Sequence, residues 1–207
     1  AGSLPPADRW CGTCKQTMSY GYGLSATPLQ IAHAYATLGN GGRSIAPTFV
    51  KGQRNEPVQV LSPEIARQVV EMMQTVTEPG GTATQAAILG YHVAGKTGTA
   101  RKASAGGYSR EYFAFFAGLV PVDNPRFAMA VVIDNPTAGS YYGGLVSAPV
   151  FQKVMEGSLR LMDVPPDDIE TWIAAQEKIE AKRRPLVAAV AAPAQPALPV
   201  PLSEDAP

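Results

Sequence analysis

Two apolar runs, Tyr112 to Val120 and Phe127 to Ile133, are separated only by Pro121-Val122-Asp123-Asn124-Pro125-Arg126. Both read as strands. A parallel crossover needs a dozen residues or more, so a link this short forces the two to pair antiparallel. That constraint excludes any purely parallel α/β architecture for the centre of the chain.

Helices are expected on either side of these strands. Thr27 can cap, Pro28 suits a first helical position, and Gln30 stands three residues after Thr27 as a capping box requires. Leu29, Ala32, Tyr35 and Ala36 then share a face, and Gly39-Asn40-Gly41-Gly42 ends the helix. A second helix starts at Ser62-Pro63-Glu64, with Ile65, Val69, Met72, Met73 and Val76 at helical spacing, the methionines read as core packing. A third follows a Ser147 cap, with Phe151, Val154, Met155, Leu159 and Met162 on one side. Between the first two, Ile45 to Val50 and Val58 to Leu61 suggest a small hairpin. The expected layout is an irregular connector over 1–18, a domain over 19–165, a short charged helix over 166–184 and a disordered Ala/Pro-rich tail over 185–207.

The chain has 17 acidic and 17 basic residues, so no net field would gather nucleic acid or an anionic surface. No run reaches the ~18 apolar residues of a membrane span, and the chain as given is expected to be soluble. Its opening, Ala1-Gly2-Ser3-Leu4-Pro5-Pro6, reads as the inside of a longer protein, so an anchor could lie upstream. Trp10-Cys11-Gly12-Thr13-Cys14 is close to a thioredoxin spelling but lacks the preceding strand and following helix that would activate a thiol. Incidental cysteines or a local disulfide are the expected readings. No cofactor or metal is called for, since His33 and His92 stand in unrelated contexts.

Chemistry concentrates in Gly95-Lys96-Thr97-Gly98-Thr99-Ala100. Gly90 to Thr97 satisfies the Gly-x-x-x-x-Gly-Lys-Thr spelling of a phosphate-binding loop, and Ala130-Val131-Val132-Ile133-Asp134 resembles a magnesium-holding strand. A phosphate loop works only if a helix begins at the Lys-Thr, and Gly98 follows at once with no apolar period before Gly106-Gly107. The competing reading makes residues 91–102 an edge strand. There Gly98 lets a substrate chain approach, the Thr97 and Thr99 hydroxyls can bind a carboxylate, an outward N–H can stabilise an oxyanion, and Lys96 adds positive potential.

The longer string settles the balance. Tyr20-Gly21-Tyr22-Gly23-Leu24-Ser25, Gly80-Gly81-Thr82-Ala83, Ala94-Gly95-Lys96-Thr97-Gly98-Thr99-Ala100 and Tyr142-Gly143-Gly144 through Ser147-Ala148-Pro149-Val150-Phe151 follow in that order. Together they resemble the transpeptidase domain of class B penicillin-binding proteins of the division type, over roughly residues 15–165.

The resemblance implies an α/β fold of the penicillin-binding and serine β-lactamase type, with a mainly antiparallel sheet flanked by helices. It implies a serine acyl-transferase that cross-links peptidoglycan stem peptides, is acylated by β-lactams and works with division proteins at the periplasmic face of the inner membrane. By the same resemblance, Lys96 sets proton-transfer electrostatics, Thr97 and Thr99 hold a substrate carboxylate, and the Thr99 N–H completes an oxyanion hole. Gly98 leaves room for substrate, Arg101 supports the carboxylate through space, and Tyr112, Tyr141 and Tyr142 wall the cleft. The family also needs Ser-x-x-Lys and Ser-x-Asn. No serine here has a lysine three residues on or an asparagine two residues on, so the nucleophile is expected upstream. A nucleotide-binding protein and a non-catalytic interaction fragment are the alternatives.

Overall fold

The computed structural model describes residues 2–6, 8, 10–104 and 107–191. Its centre is a three-stranded antiparallel sheet of residues Ala94–Ser104, Gly107–Val120 and Phe127–Asp134, side by side in that order. Before it come α1 (Cys14–Met18), α2 (Pro28–Gly39), β1 (Arg43–Ser44), β2 (Val58–Gln59) and α3 (Pro63–Gln74). The sheet strands are β3 (Ala94–Ser104), β4 (Gly107–Val120) and β5 (Phe127–Asp134), and α4 (Gly143–Val146), α5 (Ala148–Leu161) and α6 (Ile169–Ala191) follow.

The antiparallel pair forced by the short link is β4 with β5, registered from Val120 opposite Phe127 to Phe113 opposite Asp134. On its other side β4 pairs with β3, Lys96 opposite Ala117 and Thr99 opposite Ala114. Facing residues in such a ladder share a side of the sheet. Phe116 and Val120 therefore join Phe151, Met155 and Leu159 of α5 in one core, with Phe116 and Phe151 edge to face at 4.9 Å. Leu119 and Ala94 turn the other way, to Val70 of α3 and Leu38 of α2.

The capping box at α2 is formed, the Gln30 N–H donating to the Thr27 hydroxyl at 3.2 Å and the Thr27 N–H to Gln30 Oε1 at 2.9 Å. Ser62 caps α3 by accepting from the Ile65 N–H at 3.2 Å. The buried seam of α3, however, is Ala66, Val70 and the half-buried Met73, whereas Ile65 and Met72 are exposed. On α5, Ala148, Phe151, Met155 and Leu159 are buried and Val154 and Met162 are not. Both helices keep the expected period; α3 is rotated so that the smaller Ala66 and Val70 turn inward, whereas α5 keeps Phe151, Met155 and Leu159 inward.

Other expectations change. The strand expected over 91–102 runs over Ala94–Ser104, because the chain just before it is pinned elsewhere. The His92 N–H donates to Asp167 Oδ1 at 2.8 Å, and the Gly90 carbonyl accepts from Asp168 N–H at 3.0 Å. Asp167 Oδ2 also accepts from Val122 N–H at 2.9 Å and Asp123 N–H at 3.3 Å, so one carboxylate ties the approach to β3 to the β4–β5 link. The hairpin shrinks to Arg43–Ser44 against Val58–Gln59. Pro47 has no N–H to give a ladder, the Ala46 carbonyl accepts from the Asn55 side chain at 2.7 Å, and Phe49 is 92% exposed, with no core to pack on.

Within the expected connector, α1 is helical and Ser3 bridges to Ser25. A compact unit runs to Ile169, and a second begins at Glu170 and consists of α6 as far as it is described. That helix starts at Ile169 and continues to Ala191, so residues 185–191, expected in the tail, are helical; 192–207 lie outside the described residues. The turn expected at Gly106-Gly107 includes Gly106, which is also outside them, and β4 opens at Gly107. Among the described residues no helix is long and apolar enough to cross a membrane.

Candidate active site

Three of the four segments, residues 80–83, 94–100 and 142–151, meet along β3. Thr97 and Thr99 lie opposite Phe116 and Ala114, so their side chains take the sheet side that carries α5. Thr82 comes from the segment after α3, and its hydroxyl lies 3.0 Å from that of Thr97. The Gly143 N–H donates to Thr99 Oγ1 at 3.2 Å and brings in the start of α4. Ser147, expected to cap a helix, makes no capping bond; it is fully buried and its hydroxyl donates to the Ala114 carbonyl of β4 at 3.0 Å. A buried hydroxyl takes the nearest strong acceptor, and here that acceptor anchors α5 beneath the site.

Glycines make this junction possible. A Cβ on Gly143 would strike the backbone oxygens of Phe115 and Gly98, and one on Gly144 would strike the Thr82 carbonyl oxygen. The Gly98 requirement differs from the one read in the sequence: the space where its Cβ would go is filled by the Phe115 ring across the ladder.

Lys96 belongs to the other side of the sheet, and its ammonium comes round to donate to the Thr97 carbonyl at 3.0 Å, with Thr97 Oγ1 at 3.5 Å. Because β3 is an edge strand among the described residues, a long side chain can turn past its rim. The neighbouring lysine is a useful contrast. Lys102 is paired with Asp134 and with Glu111 at 3.3 Å, and the Asp134 contact, above all, holds its ammonium pKa above the ordinary value. Lys96 is exposed and has no carboxylate partner among the described residues. Its charge is available to a ligand.

Farther along the strand, Arg101 Nε donates to the Tyr112 hydroxyl at 3.2 Å, and its guanidinium lies 5.7 Å from the Tyr112 ring centre. That hydrogen bond raises the Arg101 pKa, with smaller contributions from the Tyr22 and Tyr141 phenols. Tyr112 stacks on Tyr141 at 4.3 Å, and Tyr141 meets Tyr142 at 4.6 Å. The Tyr141 to Tyr142 hydroxyl contact pushes the Tyr141 pKa up. All eight residues singled out in the sequence thus occupy one region: Lys96, Thr97, Gly98 and Thr99 at the strand rim, then Arg101, Tyr112, Tyr141 and Tyr142 as a cation and aromatic strip.

Thr82 and Ser147 were not among those residues as site groups. Thr82 had a signal, since Gly80-Gly81-Thr82-Ala83 is one of the ordered segments, but no spacing rule joins residue 82 to residue 97. The phosphate-loop reading fails on geometry, because Lys96 and Thr97 lie inside β3 and no helix starts there. Among the described residues no group of three or more His, Cys, Asp or Glu side chains could hold a metal ion.

Comparison with known proteins gives the family and the fold. The family model for the penicillin binding protein transpeptidase domain matches residues 1–156. The peptidoglycan D,D-transpeptidase FtsI of Escherichia coli K12 is 47% identical over 173 residues, 83% of this chain and 29% of that protein. The probable peptidoglycan D,D-transpeptidase PbpC of Pseudomonas aeruginosa is 41% identical over 179 residues, 86% of this chain and 32% of that protein. Among solved structures, the apo transpeptidase domain of Burkholderia pseudomallei penicillin-binding protein 3 superposes with a TM-score of 0.73 at 40% identity, covering 80% of this chain and 51% of that one. The chain therefore spans about a third of the length of these curated relatives and about half of that solved domain.

Proposed function

Since the chain belongs to the penicillin-binding protein transpeptidase family, as a class B, FtsI-like member covering part of the domain, we propose that it supplies the Lys-Thr-Gly half of a peptidoglycan D,D-transpeptidase site. The observation that carries the reading is the Lys96 ammonium, without a carboxylate partner among the described residues, on the carbonyl and hydroxyl of Thr97, whose hydroxyl also meets that of Thr82, at a strand rim held by the Gly143 N–H.

In this reading the serine comes from residues outside these 207 and attacks the D-Ala-D-Ala carbonyl. Lys96 favours loss of the serine proton by placing positive potential beside it. Thr97 offers its hydroxyl to the substrate carboxylate. Thr99, whose oxygen already accepts from Gly143 N–H, keeps its hydroxyl proton for the same anion. The Thr99 N–H on an edge strand serves the tetrahedral oxyanion, and Gly98 makes room for the Phe115 ring packed against the strand. D-Ala leaves as the free amine, and a neighbouring stem-peptide amine then attacks the acyl-serine. Arg101 adds charge at longer range, and Tyr112, Tyr141 and Tyr142 form a rigid wall along the peptide. A β-lactam takes the donor's place and stays on the serine. Stem peptides and β-lactams are the ligands, other division proteins the partners, and the periplasmic face of the inner membrane the site of action, with any anchor outside these residues.

Domain limits follow the same reading: residues 19–165 are the C-terminal part of the transpeptidase domain. The test is labelling with a fluorescent penicillin of this chain and of the longest uninterrupted product of its reading frame, with mass mapping of the adduct. Label on a serine outside the 207 residues, in the long form only, supports the reading; a folded long form that takes no label overturns it.

A further inference from the structure

The Cys-x-x-Cys motif is the one sequence feature that the transpeptidase reading does not use. Cys11 and Cys14 are joined in a disulfide, with Cα atoms 5.0 Å apart. Cys11 is exposed and Cys14 half-buried, so an attacking thiolate can reach the pair. The Cys11 N–H donates to Cys14 Sγ at 3.0 Å, a bond that stabilises negative charge on that sulfur. The sequence denied this motif a helix, yet α1 begins at Cys14.

The pair closes a ring of few residues, which gives little chain-entropy stabilisation of the whole fold compared with a long-loop bridge. Its effect must be local. None of residues 10–25 is buried, so no core holds that segment. Its backbone contacts include Thr17 N–H to Thr13 carbonyl at 3.0 Å, Tyr22 N–H to Thr17 carbonyl at 3.0 Å and, across 22 residues, the Ser3–Ser25 bridge at 2.8 and 2.9 Å. A five-residue helix is far below the length that is stable alone, so α1 depends on the constraint at its head.

We propose that Cys11–Cys14 is a thiol-addressable site, a substrate for a dithiol, whose reduction frees α1 and the Tyr20–Tyr22 turn behind it. One thiolate of the dithiol attacks Cys11 Sγ, the more exposed sulfur. The Cys11–Cys14 bond breaks and the Cys14 thiolate leaves, held by the Cys11 N–H. The second thiolate of the dithiol then attacks the dithiol's own sulfur in the mixed disulfide and expels the Cys11 thiolate. The dithiol ends oxidised by two electrons, and Cys11 and Cys14 end as two thiols after taking up two protons. The reverse exchange with an oxidised partner restores the bridge.

The test uses the folded protein purified without reductant. Samples are incubated with dithiothreitol or with reduced thioredoxin, alkylated with iodoacetamide under native conditions and mapped by mass. Trypsin cleavage after the exposed Lys15 is timed in parallel. The expected result is no alkylation before treatment, alkylation of both cysteines after either dithiol, and cleavage after Lys15 accelerated about fivefold or more. A Cys11→Ser/Cys14→Ser double variant should cleave at the fast rate with or without dithiol. Labelling by dithiothreitol alone keeps the small-dithiol assignment and excludes a thioredoxin-fold partner. Cysteines that alkylate without reductant, a bridge that resists both dithiols in the folded protein, or an unchanged cleavage rate would each overturn the proposal.

Discussion

Replacing Gly144 by alanine tests whether the site is assembled by backbone contact between its segments. A Cβ at 144 would fall on the Thr82 carbonyl oxygen, inside the 3.0 Å that Cβ atoms essentially never breach, and Thr97 Cγ2 stands at 3.4 Å on the adjoining side. The obstacle is backbone, so a side-chain rotation cannot relieve it. Overpacking of this kind costs about 1–3 kcal/mol. Gly144 lies in α4 at an ordinary φ, so helix propensity returns up to about 1 kcal/mol, and the net loss should be about 1–2 kcal/mol. At ~2–4 °C per kcal/mol for a chain of this size, Tm should fall by about 2–8 °C. Gly157 in α5 is the control, with nothing within 4 Å of its Cβ position, so Gly157→Ala should raise Tm by about 1–4 °C through propensity alone. Differential scanning calorimetry of the two variants separates the effects. Equal stabilisation by both alanines would refute the reasoning, because it would mean that Thr82 does not lie against Gly144.

Two further outcomes are expected. Asp167→Ala removes a carboxylate only 8% exposed that accepts from the N–H groups of His92, Val122 and Asp123, and should cost about 3 kcal/mol in a urea unfolding titration, with Asp167→Asn in between. Burial pushes the Tyr35 phenol from 10.0 up to about 12, so its stabilising contribution is full below the unfolded value and is lost as pH rises through that interval. Tyr35→Phe should therefore flatten the alkaline fall of unfolding free energy between about pH 10 and 12, and an unchanged slope would count against the assignment.

Much of the sheet was legible because its constraint is local: six residues cannot carry a parallel crossover, and β4 and β5 pair as that required. Helix starts at Thr27 and Ser62 were legible for the same reason, each cap bonding within three residues. Ser147 looked like the same signal and is not, since its hydroxyl finds the Ala114 carbonyl 33 residues away, a partner that only tertiary packing supplies. Strand alternation puts Lys96 on one side and Thr97 and Thr99 on the other. The structure keeps that alternation and reconciles it through an edge position and a flexible lysine stem. The order of the segments drew the candidate site residues together, whereas the Thr82 to Thr97 contact and the Phe115 ring over Gly98 depend on tertiary packing and ladder register, which no short-range pattern encodes.

In the proposed site Lys96 is the functional cation and Lys102, held by Asp134 and Glu111, a structural one. The most direct measurement is the rate constant of acylation by a fluorescent penicillin in the uninterrupted protein, for Lys96→Gln and Lys102→Gln side by side. A loss of about 100-fold or more is expected for Lys96→Gln and a change of no more than about threefold for Lys102→Gln. Acylation of Lys96→Gln at close to the parent rate, in a protein of unchanged Tm, would contradict it.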